Sequence, residues 1–293
     1  MKKILFLLLF SIMYSEIVAQ DTSENDTTYW KNSFKIGLNL NQTSFSDSWT
    51  GGGVNSQALG SFLNAKARYK KGKIGFANEL DMIYGVNNVE GLGIRKTVDQ
   101  IFLDSKVNYM FSDKWKGSTS LNFISQFADG YEYNEDNERG ELISSFMAPG
   151  FITLAFGMMY EPNDFFNVRL SPFAPRITIV ADDSLSENFG VEAGENVRYE
   201  WLSAQIIAEF DKDLRENLNF KWKYLLFANY EELDIQKIDH RLDISITAKI
   251  TNYINTFVSG IFVYDYDQSL SLQSSQQLAI GLIYKVANFK EEE

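Results

Sequence analysis

Charged side chains recur at every second position in this chain. Lys66 and Arg68, Glu79 and Asp81, Asp104 and Lys106, Lys221 and Lys223, and Arg241 and Asp243 are each separated by one uncharged residue. Lys35, Lys116, Arg169, Arg176, Glu209 and Lys249 stand in similar surroundings, mostly flanked by apolar or small residues. A two-residue spacing puts such groups on one face of a β-strand. The chemistry open to a face of this kind is electrostatic: it can hold water and steer ions or small solutes, or it can neutralise itself in ion pairs across a shared interior. Arg169 and Arg176 illustrate the choice, forming either a constriction for anionic solutes or pairs with Asp and Glu across that interior.

Other chemistries find less support. His240 is the only histidine, and there is no cysteine, which removes disulfides, thiolate metal sites and cysteine nucleophiles. A serine nucleophile needs its histidine base within hydrogen-bond reach. The position two residues beyond His240 on the same strand face, where known outer-membrane phospholipases carry that serine, is Leu242. An outer-membrane lipid hydrolase is therefore the least favoured reading, and Asp239-His240-Arg241 reads as a strand-start surface site. Trp49-Thr50-Gly51-Gly52-Gly53 frees the backbone for close approach, so Trp49, Gly51, Gly52 and Gly53 either cap a barrel mouth or contact a ligand. The run Glu132 to Glu138 is acidic but lacks the spaced Asp, Asn and Gly of a calcium loop, and reads as a solvated flexible loop. No metal or cofactor is expected.

The elements that must position these charges are strands. Arg241 to Ile250 is the plainest: Leu242, Ile244, Ile246, Ala248 and Ile250 point one way, and Arg241, Asp243, Ser245, Thr247 and Lys249 the other. Twelve such stretches are expected, running about Phe34–Phe45, Gln57–Tyr69, Ile74–Tyr84, Val98–Phe111, Trp115–Phe127, Phe146–Tyr160, Phe165–Val180, Val197–Asp211, Leu218–Tyr230, His240–Thr251, Tyr253–Tyr266 and Gln276–Phe289. One face suits hydrocarbon and the other water. Only helices and closed barrels satisfy every backbone group inside lipid, so the pattern predicts an all-β, transmembrane, antiparallel up-and-down β-barrel of about 12 strands. A soluble sandwich built from these strands would have a charged core.

Met1-Lys2-Lys3, the apolar run Ile4 to Met13 and Val18-Ala19-Gln20 read as a signal peptide over 1–20. A short periplasmic segment over 21–32, the barrel over 33–289 and a tail over 290–293 complete the expected organisation. Connections after even strands are short, as at Lys70-Lys71-Gly72 and Ser112-Asp113-Lys114. Those after odd strands are mostly longer, as at Ser46–Ser56, Asn87–Lys96, Ala128–Ser145 and Ala181–Asn196, and two of these are strongly acidic. Barrels of this class keep short turns in the periplasm, which puts both termini there. Aromatics make up 15% of the chain and fall largely near strand ends, where interfacial girdles belong. A net charge of −12 argues against nucleic acid as a partner.

Three segments carry a resemblance. Gln42 to Ser56, Val168 to Thr178 with its Ser171-Pro172-Phe173-Ala174-Pro175-Arg176 core, and Tyr253-Ile254-Asn255-Thr256-Phe257 leading to Tyr264-Asp265-Tyr266-Asp267 resemble a Bacteroidota outer-membrane β-barrel family known only as a domain of unknown function, DUF3078. Pro175 departs from that pattern, which has a plainer residue there. The resemblance implies an outer-membrane barrel and carries no substrate or activity. The two prolines of the middle segment lack ladder donors and predict a bulge or bend in the seventh strand.

The functional expectation is a narrow pore or solute-permeation barrel in the cell outer membrane, with a mixed, basic-leaning lumen. A non-conducting structural or envelope-assembly barrel is the alternative. Its expected partners are outer-membrane lipid, the outer-membrane insertion machinery and small solutes.

Overall fold

The protein is described by a computed structural model, covering residues 29–46, 54–134, 138–232, 234–251 and 253–288. Sixteen strands are present: β1 (Trp30–Thr43), β2 (Ser56–Lys71), β3 (Ile74–Val89), β4 (Gly93–Met110), β5 (Trp115–Ser125), β6 (Gly130–Tyr133), β7 (Arg139–Ser144), β8 (Gly150–Asn163), β9 (Phe166–Phe173), β10 (Arg176–Ile179), β11 (Val197–Glu200), β12 (Ser203–Arg215), β13 (Leu218–Asn229), β14 (Asp239–Lys249), β15 (Ile254–Asp265) and β16 (Ser269–Ala287). Twelve of them form a closed antiparallel ring in the order β8, β5, β4, β3, β2, β1, β16, β15, β14, β13, β12, β9, with β9 returning to β8. It is a transmembrane up-and-down β-barrel. The first and last strands meet along Ser33–Asn39 and Gly281–Ala287, so no edge is left unpaired there.

Alternation along the strands explains the inverted character of the molecule. Leu38, Leu40, Leu59, Val107, Leu121, Leu278, Ile280 and Leu282 point outward and are exposed, while Asp104, Asn122, Thr153, Arg169 and Gln205 are buried inside. A lipid-facing wall with a polar interior is the arrangement a membrane barrel requires.

The proline-bearing segment produces a bulge. Met158 pairs with Leu170 but Phe156 with Phe173, so β9 carries one residue more than β8 across Ser171-Pro172. Pro175 has no donor, yet its carbonyl accepts from the Leu154 N–H at 3.0 Å, and the Ala174 N–H donates to the Ser203 carbonyl at 2.7 Å. The next strand breaks at the same level, between β11 and β12, and pairing resumes at Arg176 and Glu200. These paired breaks change the phase of both strands together. Arg169 and Arg176 are an odd number of residues apart, and strict alternation would put them on opposite faces; the bulge turns both inward.

Several expected boundaries change. β1 begins at Trp30, paired with Tyr69, inside the segment expected to precede the barrel. The connection expected over 87–96 is mostly strand, because β3 and β4 continue to a tight turn at Glu90-Gly91-Leu92 with Gly91 and Gly93 at positive φ. β16 likewise starts at Ser269 rather than near Gln276. Beyond the bilayer a strand needs no apolar outer face, so in β3 and β4 the alternation fades although the ladder persists; in β16 Leu270 and Leu272 still alternate with serines, and the pattern is interrupted by the polar run Gln273 to Gln277. The long acidic stretches are ordered where described. One holds the β6–β7 hairpin, with Arg139 stacked 3.3 Å over the Tyr131 ring. The other contains two 3-10 turns, Asp183–Leu185 and Glu187–Phe189. Of the loop expected over Glu132–Glu138, Glu132 and Tyr133 belong to β6, and residues 135–137 lie outside the described residues.

Candidate functional site in the lumen

Inward alternation on six strands brings the charges together. Glu79 on β3 lies 3.0 Å from Lys221 and 3.7 Å from Lys223 on β13. β3 and β13 are six places apart in a ring of twelve, which is diametrically opposite. Lys66 on β2 reaches Asp211 on β12 at 3.3 Å and Glu79 at 3.4 Å, and Arg241 on β14 donates to Gln100 on β4. Both of those cross-lumen links also join opposite strands. Side chains can meet across a ring only if the walls approach, so the barrel is flattened along this axis. Its two curved poles, at β1/β16 and β8, carry Gly37, Ala279 and Gly281, and Ala155 and Gly157, on their inner faces. Short side chains suit a tightly curved concave wall.

The network continues toward β9. Lys223 meets Glu209 at 3.3 Å and lies 4.2 Å over the Phe102 ring. Lys106 bridges Glu209 and Asp104, each at 3.4 Å. Asp104, fully buried, receives two guanidinium bonds from Arg169 at 2.9 and 2.6 Å and one from the Asn122 amide at 2.6 Å. Asp81 accepts from Asn64 and faces Lys221 and Lys223. Paired charges of this kind are held in place because separating one leaves the other desolvated.

Apart from Lys35, the remaining sequence candidates lie toward the ends. Lys116 pairs with Glu161 at 2.7 Å near the short-turn mouth, and Arg241 with Asp243 at 3.0 Å. Arg68 and Lys249 are exposed at that same mouth, and Lys35 is on the inner wall; none of the three has an ion pair among the described residues. Arg176 bonds Asp239 at 2.8 Å and stacks 3.1 Å over the Phe227 ring. Trp49, Gly51, Gly52 and Gly53 lie outside the described residues.

Glu161, Asp211, Asp239 and Asp265 also face the lumen, four carboxylates beyond those expected there. Asp211 was within reach of the same alternation, two residues beyond Glu209. Asp239 was hidden by starting its strand one residue late: it is an inner-face residue, and the surface-site reading of Asp239-His240-Arg241 is corrected for Asp239 and Arg241. His240 points to the outer wall, where its Nδ1 and the Tyr224 hydroxyl share a hydrogen bond of 2.6 Å. No serine bonds the ring among the described residues.

Above the ion pairs a cavity of about 70 Å³ is lined by Asn122, Thr153, Arg176, Gln205, Asp239 and Asp265 among others. That is room for roughly two waters, far below the several hundred Å³ of an organic ligand pocket. The loops beyond it close together. Ala148, Val180, Leu185, Phe189 and Val191 form an apolar cluster of their own, joined by Leu142. Arg198 ties four segments, reaching the Gly190 carbonyl at 3.3 Å, Glu200 at 3.4 Å, Glu232 at 3.7 Å and the Asp267 carboxylate. Lys237 donates to Glu232 at 3.0 Å and, with Arg198, holds that carboxyl below its usual range. Arg198→Ala is expected to speed protease cleavage within 181–196 while leaving barrel unfolding within about 1 kcal/mol of the parent. Unchanged cleavage would show that the apolar cluster alone holds the loops.

The comparisons follow the same lines. Residues 40–131 match the model of a family described as "Protein of unknown function (DUF3078)", the family the sequence resembles. No curated protein matches the chain. Among solved structures, an outer membrane channel from Pseudomonas putida F1 is similar at 8% identity, covering 92% of this chain and 100% of that one, with a TM-score of 0.41. The NanC porin is 10% identical over 87% of this chain and 100% of its own, at 0.41. The CymD monoaromatic hydrocarbon channel is 10% identical over 87% of each, at 0.33. Likeness this distant carries no function across.

Proposed function

We propose that the protein is an outer-membrane permeation barrel that rests shut, its narrow lumen closed by ionic bridges between opposite walls. One observation carries this reading: Glu79 on β3 is ion-paired with Lys221 and Lys223 half a ring away on β13. A polar interior is what a pathway for small solutes needs, and pairing its charges removes the open space. Apolar packing would close a barrel at lower electrostatic cost; ionic closure suits a path that can be reopened by competing charge. The first and last strands meet at the short-turn end, which supports periplasmic termini, with the Arg198-tied loops outside. Neither reaction chemistry nor a cofactor enters this function.

A scaffold reading has one observation of its own, the apolar cluster with which the long loops cover their mouth. Planar-bilayer conductance separates the two. The parent is expected to be silent at moderate voltage, and the Glu79→Ala/Lys221→Ala/Lys223→Ala variant to conduct. Silence from the correctly folded variant would remove the permeation reading and leave the scaffold.

A further inference from the structure

The outer wall carries a groove of about 490 Å³ at its short-turn end, lined by Ile74, Val107, Tyr109, Gly117, Thr119 and Phe156. It exists because β5 presents small outward residues between β4 and β8: Thr119 pairs with Val107 on one side and Phe156 on the other, and Gly117, nearer the turn, leaves room for the Phe111 ring to pack over it. Ile74, Val107, Tyr109 and Phe156 are 54%, 49%, 50% and 39% exposed, so the walls are apolar and open to the bilayer. The groove ends where two turns begin. Lys73 immediately precedes Ile74, its carbonyl accepting from the Met110 N–H at 2.8 Å, and Lys114 precedes Trp115 in the neighbouring turn. Both lysines are exposed, as are Lys70 and Lys71 on the first turn. Asp113 is the acid of the second turn, and Glu161 beside it is engaged by Lys116 at 2.7 Å.

The geometry points to a binding site for an anionic phospholipid of the leaflet at the short-turn end. One acyl chain lies along Thr119, beside the Phe111 ring that packs over Gly117, while the headgroup phosphate is held by Lys73 and Lys114. A bare bilayer chain would fill the groove without preference, and the lysine rim is what selects charge. Ammonium groups at a membrane surface are each worth about 1 kcal/mol toward anionic lipid. The site is independent of whether the lumen conducts.

The test uses the intact barrel, purified in mild detergent, exchanged with equimolar phosphatidylglycerol and phosphatidylcholine, and read by native mass spectrometry. The parent should retain phosphatidylglycerol in preference. Lys73→Gln and Lys114→Gln should each reduce that preference about fivefold, without altering the folded-barrel band on an unheated gel. Thr119→Trp, which fills the groove, should retain neither lipid; if it does not assemble, Thr119→Leu should show a partial loss. Equal retention of the two lipids by the parent, an unchanged preference in the lysine variants, or undiminished retention by the folded groove variants would each overturn the site.

Discussion

Asp104→Ala is expected to destabilise the barrel by about 3–5 kcal/mol, the usual cost of stranding one member of a buried ion pair. The group stranded is Arg169, 2% exposed, whose two bonds to Asp104 are its only side-chain hydrogen bonds among the described residues. Asn122, 1% exposed, loses its acceptor in the same step, and Lys106 loses one of its two carboxylates. The loss belongs to the uncompensated guanidinium more than to the bridge itself. Asp104→Leu combined with Arg169→Met should therefore recover most of the stability, since apolar replacements of a buried pair are often neutral or better. Denaturant unfolding in micelles, run as a double-mutant cycle, checks both. If Asp104→Ala unfolds within about 1 kcal/mol of the parent, water reaches Arg169 and the inner wall is not sealed there.

The lipid-facing walls were legible because their requirement is local. Leu242, Ile244, Ile246 and Ala248 must alternate with Asp243, Ser245 and Thr247 wherever a strand separates lipid from water. The bend at Ser171-Pro172 was legible for a similar reason: a missing N–H is written in the residue itself. What lay beyond reach was the identity of partners across the lumen. Asp104 and Arg169 are 65 residues apart, and Glu79 and Lys221 are 142 apart. Which of them meet depends on the stagger and flattening of the whole ring, which no single strand encodes. The same limit explains why the charges alone left two readings, a path for solutes and an interior neutralised by ion pairs: the choice turns on which partners meet. The hairpins at the long-loop end failed for another reason. Once β3 and β4 leave the bilayer, Asn87, Asn88, Arg95 and Lys96 no longer alternate against hydrocarbon, so the pattern stops before the strands do.

Gly157→Ala should prevent most of the chain from closing into a barrel, while Gly75→Ala should not. Both glycines are inner-face strand residues, but their surroundings differ. A Cβ on Gly157 would lie 1.9 Å from the Leu170 carbonyl oxygen and 2.7 Å from the Ser171 Cα, whereas one on Gly75 would meet nothing closer than 3.7 Å. The atoms in the way at Gly157 are main chain of the bulge, and they have little freedom: Ser171 is paired with Gln205 on β12, and the next residue is proline. Overpacking costs about 1–3 kcal/mol where side chains can yield, and more where they cannot, so the Gly157 variant should exceed that range and the Gly75 variant stay below about 1 kcal/mol. The bulge also sets the phase that turns Arg169 and Arg176 inward together. A chain that relieves the clash by losing the bulge would turn one of these arginines toward lipid, where a charge near mid-bilayer costs about 2–4 kcal/mol. Local strain and misplaced charge thus act in the same direction. The folded fraction on unheated gels, compared between the two alanine variants after refolding into vesicles, is the measurement; equal yields would mean that the seam between β8 and β9 does not depend on the close approach at Gly157.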